Sequence, residues 1–236
     1  MRILPLIGLV SLTLPFSSFA IQPDNLLNAS LMPVTSSHAL SKICIYDEDV
    51  QKKRSLELER LRQKDQEERD NFFEKTREEL EQLIKHDLKR RKRVGAIFGE
   101  GCIKTANDYV AAATIYIHGD TPDHYFQSYF WGQKAYQMGS DDGTFFMTRA
   151  IDRYLLSLNK KQLFGTQVQA FSFDGCYCIP PVELSFPDSL REKYKTPTIE
   201  QQLKMLSQLN EGKYCPQSEC DMALDDSPKG SVAGFW

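Results

Sequence analysis

Asp108-Tyr109-Val110-Ala111-Ala112-Ala113-Thr114-Ile115-Tyr116-Ile117-His118-Gly119 is the stretch on which the fold turns. It begins behind Thr105-Ala106-Asn107, carries Val110, Ala112, Ala113 and Ile117 at helical spacing, and stops at a glycine. Thr121 then stands as an N-cap with Pro122 in the first turn and Asp123 close behind, and this helix runs to Met138 with Gly139 as a left-handed stop. Phe126, Phe130, Trp131 and Ala135 give it a heavy apolar face. A third helix is expected from Thr144 to Leu158. Small and aromatic residues over 111–139 are spaced as in one Sel1-like helical repeat. A repeat array needs at least about three units, so the reading is one antiparallel helix pair packed on a third.

Upstream, Asp47 to Ile97 is densely charged, without proline and without glycine before Gly95, and reads as a long helix or two helices in series. Asp49 with Lys53, Asp65 with Arg69 and Glu81 with Lys85 are opposite charges four apart, acid first. Sparse apolar residues between Leu61 and Phe72 predict a largely solvated segment, and Phe73, Leu80, Leu83, Ile84 and Leu88 predict a buried stripe in the second half. The apolar seam lapses too long for a sustained coiled coil. Lys89-Arg90-Arg91-Lys92-Arg93 reads as a basic end near a helix C-terminus, where the dipole favours cations, rather than as a nucleic-acid or anionic-membrane patch.

Downstream, the period changes to two after Gln167. Val168 to Phe173 and Cys176 to Ile179 flank Asp174-Gly175, a strong hairpin signal, and Pro180-Pro181 ends it. A last helix starts at Thr198, with Gln201 completing a capping box, and reaches Leu209. The fold class is therefore mainly α: a long charged N-terminal helix or helix pair, a compact helical bundle and one small β-hairpin near residues 167–180. The helical domain spans residues 47–210, and residues 211–236 form a cysteine-containing irregular tail.

Residues 1–20 read as a secretory signal peptide, with Arg2, an apolar run from Ile3 to Phe16 and a Ser18-Phe19-Ala20 cleavage site. Residues 21–46 read as a flexible leader. No stretch is long and apolar enough for a membrane span. The 236-residue chain has a net charge of −3, and removal of the leader peptide takes Arg2 with it, so nothing favours nucleic-acid binding. A periplasmic or secreted location would oxidise Cys44, Cys102, Cys176, Cys178, Cys215 and Cys220 to disulfides. Six cysteines allow fifteen connectivities, and the sequence does not choose among them. Cys176 and Cys178 share one strand face, so bonding to separate partners is the easier geometry, Cys215 and Cys220 being one choice with Cys44 and Cys102 as the third pair. A zinc site built from the same C-x-C and C-x4-C groups is the alternative, although the spacing is not that of a zinc ribbon. No cofactor and no metal is called for.

The candidate chemistry lies in three polar signatures: His118, Asp152-Arg153 and Thr166-Gln167. His118 is either a general acid or base or a cation at a helix end. Asp152 and Arg153 point about 100 degrees apart, so one of them is free to face His118 or the turn at 165–167. An arginine in a cleft suits a carboxylate or phosphate ligand, whereas a buried pair fixes helix register. Gly165-Thr166-Gln167 turns the chain from helix to hairpin, and its side chains either satisfy backbone groups or bind a ligand. No nucleophile elbow, phosphate loop or paired-histidine metal motif is present.

At these residues the chain resembles an uncharacterised, mainly bacterial family, a domain of unknown function. Its members carry a D-Y-x-x-A-A-x-x-x-x-H-G segment, here Asp108 to Gly119, a D-R-x-L helix, here Asp152 to Leu155, and a K-x-Q-x-[FY]-G-T-Q ending, here Lys160 to Gln167. The likeness extends upstream to Asp65-Gln66 with Arg69, and downstream to Asp188-Ser189-Leu190-Arg191 with Pro197. It covers roughly residues 55–210 and implies a mostly helical domain in which His118, Asp152, Arg153, Thr166 and Gln167 act together. It implies no reaction. The C-x-C hairpin, the cysteine-bearing tail and export depart from it.

The leading functional expectation is a binding or interaction module whose charged helix at 47–93 meets a protein partner. One alternative is a hydrolase or transferase on an anionic substrate, with His118 as base, Asp152 orienting it and Arg153 holding the substrate. Another is an envelope-associated scaffold that dimerises through the long helix.

Overall fold

A computed structural model describes Cys44 and residues 47–170, 175–215 and 219–236. Residues 1–43, and with them the expected signal peptide and most of the leader, lie outside the described residues. The chain is mainly helical, with seven α-helices and one two-stranded antiparallel hairpin among the described residues.

The charged N-terminal region resolves into two helices. Helix α1 (Glu48–Glu67) starts at Asp47, whose Oδ1 accepts from the amides of Asp49 and Val50 at 3.0 Å each. Asn71, at φ 53°, breaks the run, and a 3-10 turn (Phe72–Glu74) leads to α2 (Arg77–Gly99). Thr76 and Glu79 close a capping box at its start. The two helices run antiparallel: Arg93 Nε lies 2.6 Å from Glu57 and Arg54 Nε 2.5 Å from Glu100 at the open end, while Arg90 reaches Glu68 at 2.7 Å near the elbow.

The region between Leu61 and Phe72 is largely solvated, as expected, with Asp65 as its one buried residue. Two expectations for this hairpin are corrected. The buried stripe of α2 is Leu83, Asp87, Arg90, Arg91, Val94 and Ile97, whereas Ile84 and Leu88 are exposed. The basic run is not a helix end: α2 continues to Gly99, and Arg90 and Arg91 point inward. Hydrophobic spacing failed here because this face is partly filled by ion pairs, which carry no apolar signature. Of the three pairs four apart, Asp65–Arg69 forms at 2.9 Å, while Asp49 pairs with Lys52 and Glu81 with Arg77.

Helices α3 (Ala106–Tyr116), α4 (Pro122–Gln137) and α5 (Asp141–Ser157) form the centre. Thr105 and Asp108 form the capping box of α3, and Thr121 caps α4 with Pro122 in its first turn, as the sequence predicts. Gly139 adopts φ +87° at the end of α4. Alanines 111–113 let α1, α2 and α4 approach α3 closely, and Leu58, Val94, Ile97, Ile115 and Trp131 fill the core around them. A second core gathers Ile117, Tyr129, Met147, Ile151, Leu155, Leu163, Phe164 and Phe186.

Strands β1 (Gln169–Ala170) and β2 (Tyr177–Cys178) pair in the register Gln169 with Cys178 and Ala170 with Tyr177. The Asp174 half of the expected turn lies outside the described residues. Gly175 has φ +71°. Cys176 joins Cys215 and Cys178 joins Cys220, while Cys44 joins Cys102 across the base of the helical hairpin. All six thiols are consumed, which leaves no ligands for the zinc alternative. The short helix α6 (Asp188–Lys193) was not expected from the sequence. Helix α7 (Ile199–Leu209) carries the expected capping box at Thr198 and Gln201.

The tail is irregular, as expected, but it belongs to the second core. Val232 is buried, and Phe235 and Trp236 pack near the Phe186 ring at 6.3 and 5.0 Å. Trp236 Nε1 donates to the Ser227 carbonyl at 2.9 Å, and Ser227 Oγ donates to the Lys161 carbonyl at 2.6 Å.

Helices α4 and α5 meet at Gly132 and Gly143. A Cβ on Gly143 would stand 2.4 Å from the Tyr136 amide nitrogen, and one on Gly132 would stand 2.6 Å from that of Met147. Both obstacles are backbone. Gly143→Ala is therefore expected to destabilise the fold by about 1–3 kcal/mol, despite the better helix propensity of alanine, as a lower urea midpoint will show.

Candidate functional site

Four of the five polar site residues named from sequence meet at the exit of α5. Asp152 is completely buried, and its carboxylate accepts four hydrogen bonds. Oδ1 takes the amides of Leu163 and Phe164 at 2.8 and 2.9 Å; Oδ2 takes the Thr166 amide at 2.9 Å and the Thr166 hydroxyl at 2.7 Å. The loop 163–166 is wrapped around one carboxylate. Burial pushes the Asp152 pKa up, and these four donors oppose the shift.

Arg153, one residue on, faces elsewhere. Its Nε donates to Gln167 Oε1 at 2.9 Å and its Nη1 to the Ile117 carbonyl at 2.6 Å. Gln167 Nε2 donates in turn to the Arg149 carbonyl at 3.3 Å and to Thr166 Oγ1 at 3.0 Å. Asp152, Arg153, Thr166 and Gln167 thus form one connected cluster.

His118 lies just beyond α3, next to the carbonyl that Arg153 binds. Its partner is not Asp152, whose oxygens are occupied, but Asp65 of α1: Nδ1 stands 2.9 Å from Asp65 Oδ2. The role given to Asp152 as the group orienting His118 is therefore corrected. Asp65 also lies 2.9 Å from Arg69 and 3.4 Å from Arg90, and both arginines reach Asp87, at 2.8 and 2.6 Å. Arg91 donates to the His118 carbonyl at 3.1 Å and pairs with Asp120 at 3.3 Å. Three elements, α1, α2 and the α3–α4 turn, are joined by this network.

The histidine side chain is 4% exposed, and among the described residues neither ring nitrogen has an aligned hydrogen-bond partner, Nδ1 standing near Asp65 by distance alone. Burial pushes its pKa down; Asp65 opposes the shift, Arg69 and Arg153 reinforce it, and the net displacement is downward. For Asp65 burial acts upward, but His118, Arg69 and Arg90 outweigh it and hold the carboxyl below its usual range. The consistent state is an ionised Asp65 beside a neutral imidazole. Two guanidinium groups already balance the carboxylate, and an imidazolium would add another cation beside Arg69, Arg90 and Arg153.

Two open concavities lie elsewhere. One, about 540 Å³, is lined by the end of α7 and residues 210–215; the other, about 310 Å³, lies at the hairpin elbow between Glu68 and His86. Neither is lined by His118, Asp152 or Arg153. Among the described residues no group of three or more His, Cys, Asp and Glu side chains is placed to hold a metal, and no helix is long and apolar enough to cross a membrane.

Sequence reasoning missed Asp65, Arg69 and Arg90 as the surroundings of His118. The signal was present as an acid-first pair four apart in a stretch poor in apolar residues, and it read equally well as a solvated helix face. No family model, curated protein or solved structure matches the chain.

Two outcomes follow. Asp152→Asn puts an amide NH2 group or a neutral oxygen where four donors converge, and is expected to cost about 3–5 kcal/mol, measured by urea unfolding. For His118, the folded pKa lies below the unfolded one, so on acidification the unfolded chain takes up the proton first. Its stabilising contribution is complete above about pH 6.5 and is lost as the pH falls toward the folded value. The urea midpoint should decline from pH 8 to 5, with at most about 1.4 kcal/mol per pH unit from this group, and His118→Gln should remove that component of the slope.

Proposed function

We propose that this chain is an exported, disulfide-braced binding module rather than a catalyst. The observation that carries the reading is the sealing of the candidate catalytic groups. Asp152 spends both oxygens on the loop at 163–166, and the His118 side chain is 4% exposed. General acid or base catalysis needs a proton donor or acceptor within reach of a substrate. Three disulfides fit an oxidising compartment, either periplasmic or extracellular. The resemblance to the bacterial family agrees with the meeting of Asp65, Arg69, His118, Asp152, Arg153, Thr166 and Gln167 around one region, and it names no reaction.

The partner surface in this reading is the outer face of the α1–α2 hairpin. Ile84 and Leu88 are 58% and 46% exposed there, one turn apart, among Lys85, Lys89 and Lys92. An apolar pair beside three lysines, with exposed Glu81 one turn before Ile84, suits a protein partner with a mainly acidic border. One observation favours the hydrolase or transferase reading instead: His118 Nδ1 stands 2.9 Å from the Asp65 carboxylate, a pairing of the kind that orients a catalytic base.

A photo-crosslinking residue at position 84 or 88, in cells that make the protein, is expected to give a discrete heteromeric adduct, whereas one at exposed Lys229 gives none. An adduct of twice the monomer mass would point to the dimerising scaffold, and equal labelling at all three positions would sink the surface. Hydrolysis of p-nitrophenyl acetate or phosphate that disappears in His118→Gln would overturn the binding-module reading.

A further inference from the structure

Guanidinium groups of restricted exposure in this fold are matched to carboxylates almost throughout. Arg69 and Arg90 meet Asp65 and Asp87, Arg91 meets Asp120, Arg191 meets Asp188, Arg54 and Arg93 meet Glu57 and Glu100, and Arg62 meets Glu59. Two break the pattern. Arg149 and Arg153 are half-buried, and among the described residues neither has a carboxylate within ion-pair distance.

They occupy consecutive turns of α5, four residues apart, where like charges repel. Arg153 uses Nε and Nη1 on neutral acceptors, Gln167 and the Ile117 carbonyl, and among the described residues its Nη2 has no hydrogen-bond acceptor. Arg149 is freer. Its guanidinium carbon sits 3.5 Å from the centroid of the half-exposed Phe145 ring, and its one side-chain hydrogen bond among the described residues, to the Phe145 carbonyl, is 3.5 Å long. Burial pushes both pKa values down to about 10; each feels a neighbouring arginine as well, Arg153 for Arg149 and Arg69 for Arg153. Asp152 is the nearest anion to Arg149 in electrostatic terms, but its oxygens are taken by the 163–166 loop.

The surroundings of the pair are fixed. Asp152 anchors the loop, the loop carries Gln167, and Gln167 ties Arg153 to the backbone of Arg149. Unused donors on a rigid frame, with positive charge left uncompensated, describe half of a guanidinium–oxyanion contact. We propose that Arg149 and Arg153, braced by Gln167, form a receptor for a small oxyanion, the carboxylate or phosphate group of a ligand held by two guanidinium forks. This rests on the binding-module reading and names its ligand class. Asp152 is a positioning residue for that receptor, and Phe145 supplies an apolar flank beside the anion.

The test is a thermal-shift titration of the full-length protein with inorganic phosphate and with succinate, each against sodium chloride at matched ionic strength. A saturable rise in Tm with either anion supports the receptor, and the anion that acts tells phosphate from carboxylate. Arg149→Gln removes one long hydrogen bond and the stacking on Phe145, and should lower the unliganded Tm by only about 2–4 °C while weakening the response roughly tenfold or more. Arg153→Gln should do the same if it folds; Arg149→Gln decides the matter if it does not. No saturable rise beyond chloride with either anion, or an undiminished response in Arg149→Gln, overturns the receptor. Release of nitrophenol from p-nitrophenyl phosphate that needs both His118 and Arg149 would keep the anion site and overturn the binding-module reading instead. Absence of both release and anion response overturns the anion site alone.

Discussion

An ionised carboxylate with no exposure at all, Asp65, is the constraint around which the N-terminal half is arranged. Burying one charge costs several kcal/mol unless partners surround it, and here they come from three directions. Arg69 is contributed by the turn after α1, Arg90 by α2 and His118 by the turn after α3. The helical hairpin can take only the pitch and angle that bring those groups together. The network therefore sets register as well as stability: a hairpin slipped by one turn would strand Asp65, and the penalty for an unpaired buried charge disfavours that alternative. Cys44–Cys102 fixes the other end of the same hairpin to the start of α3.

Asp152 plays the matching part in the C-terminal half. Three backbone amides and one hydroxyl converge on it, so a loop with no regular secondary structure is as fixed as a helix end. That loop then delivers Leu163 and Phe164 into the second core and Gln167 onto Arg153. Arg191 joins in from α6, its Nε and Nη2 donating to the Leu163 carbonyl at 3.0 and 2.7 Å. The tail closes over this region through Ser227, Val232 and Trp236. The two halves meet where Arg153 holds the Ile117 carbonyl, one residue from His118.

Several elements were legible from local physics. Thr105, Thr121 and Thr198 each cap the helix expected after them, because a hydroxyl before a free amide is a short-range signal independent of packing. Gly139 stops α4 for an equally local reason, its positive φ. The hairpin and the pairing of Cys176 and Cys178 with separate partners follow from alternation along one strand. Failures had a common cause. Ile84 and Leu88 are exposed while Arg90 and Arg91 are buried, because burial on α2 is decided by which groups Asp65, Asp87 and Asp120 need as partners. Arg149 gave no sequence signal, since an unpaired arginine is recognisable only when the carboxylates it lacks can be located.

Within the site the same division holds. The chain by itself determined which residue types are available, that Asp152 and Arg153 point different ways, and that the turn at 165–167 ends in side chains able to bond: angles and spacings inside one element settle these. Only the tertiary structure decided that Asp152 serves the loop, that Asp65 rather than Asp152 stands at His118, and that two arginines on one helix have no carboxylate partner among the described residues. Those outcomes rest on distances between groups as many as 53 positions apart, such as Asp65 and His118. Coulomb and hydrogen-bond energies depend on separation in space, and a linear order of residues does not contain it.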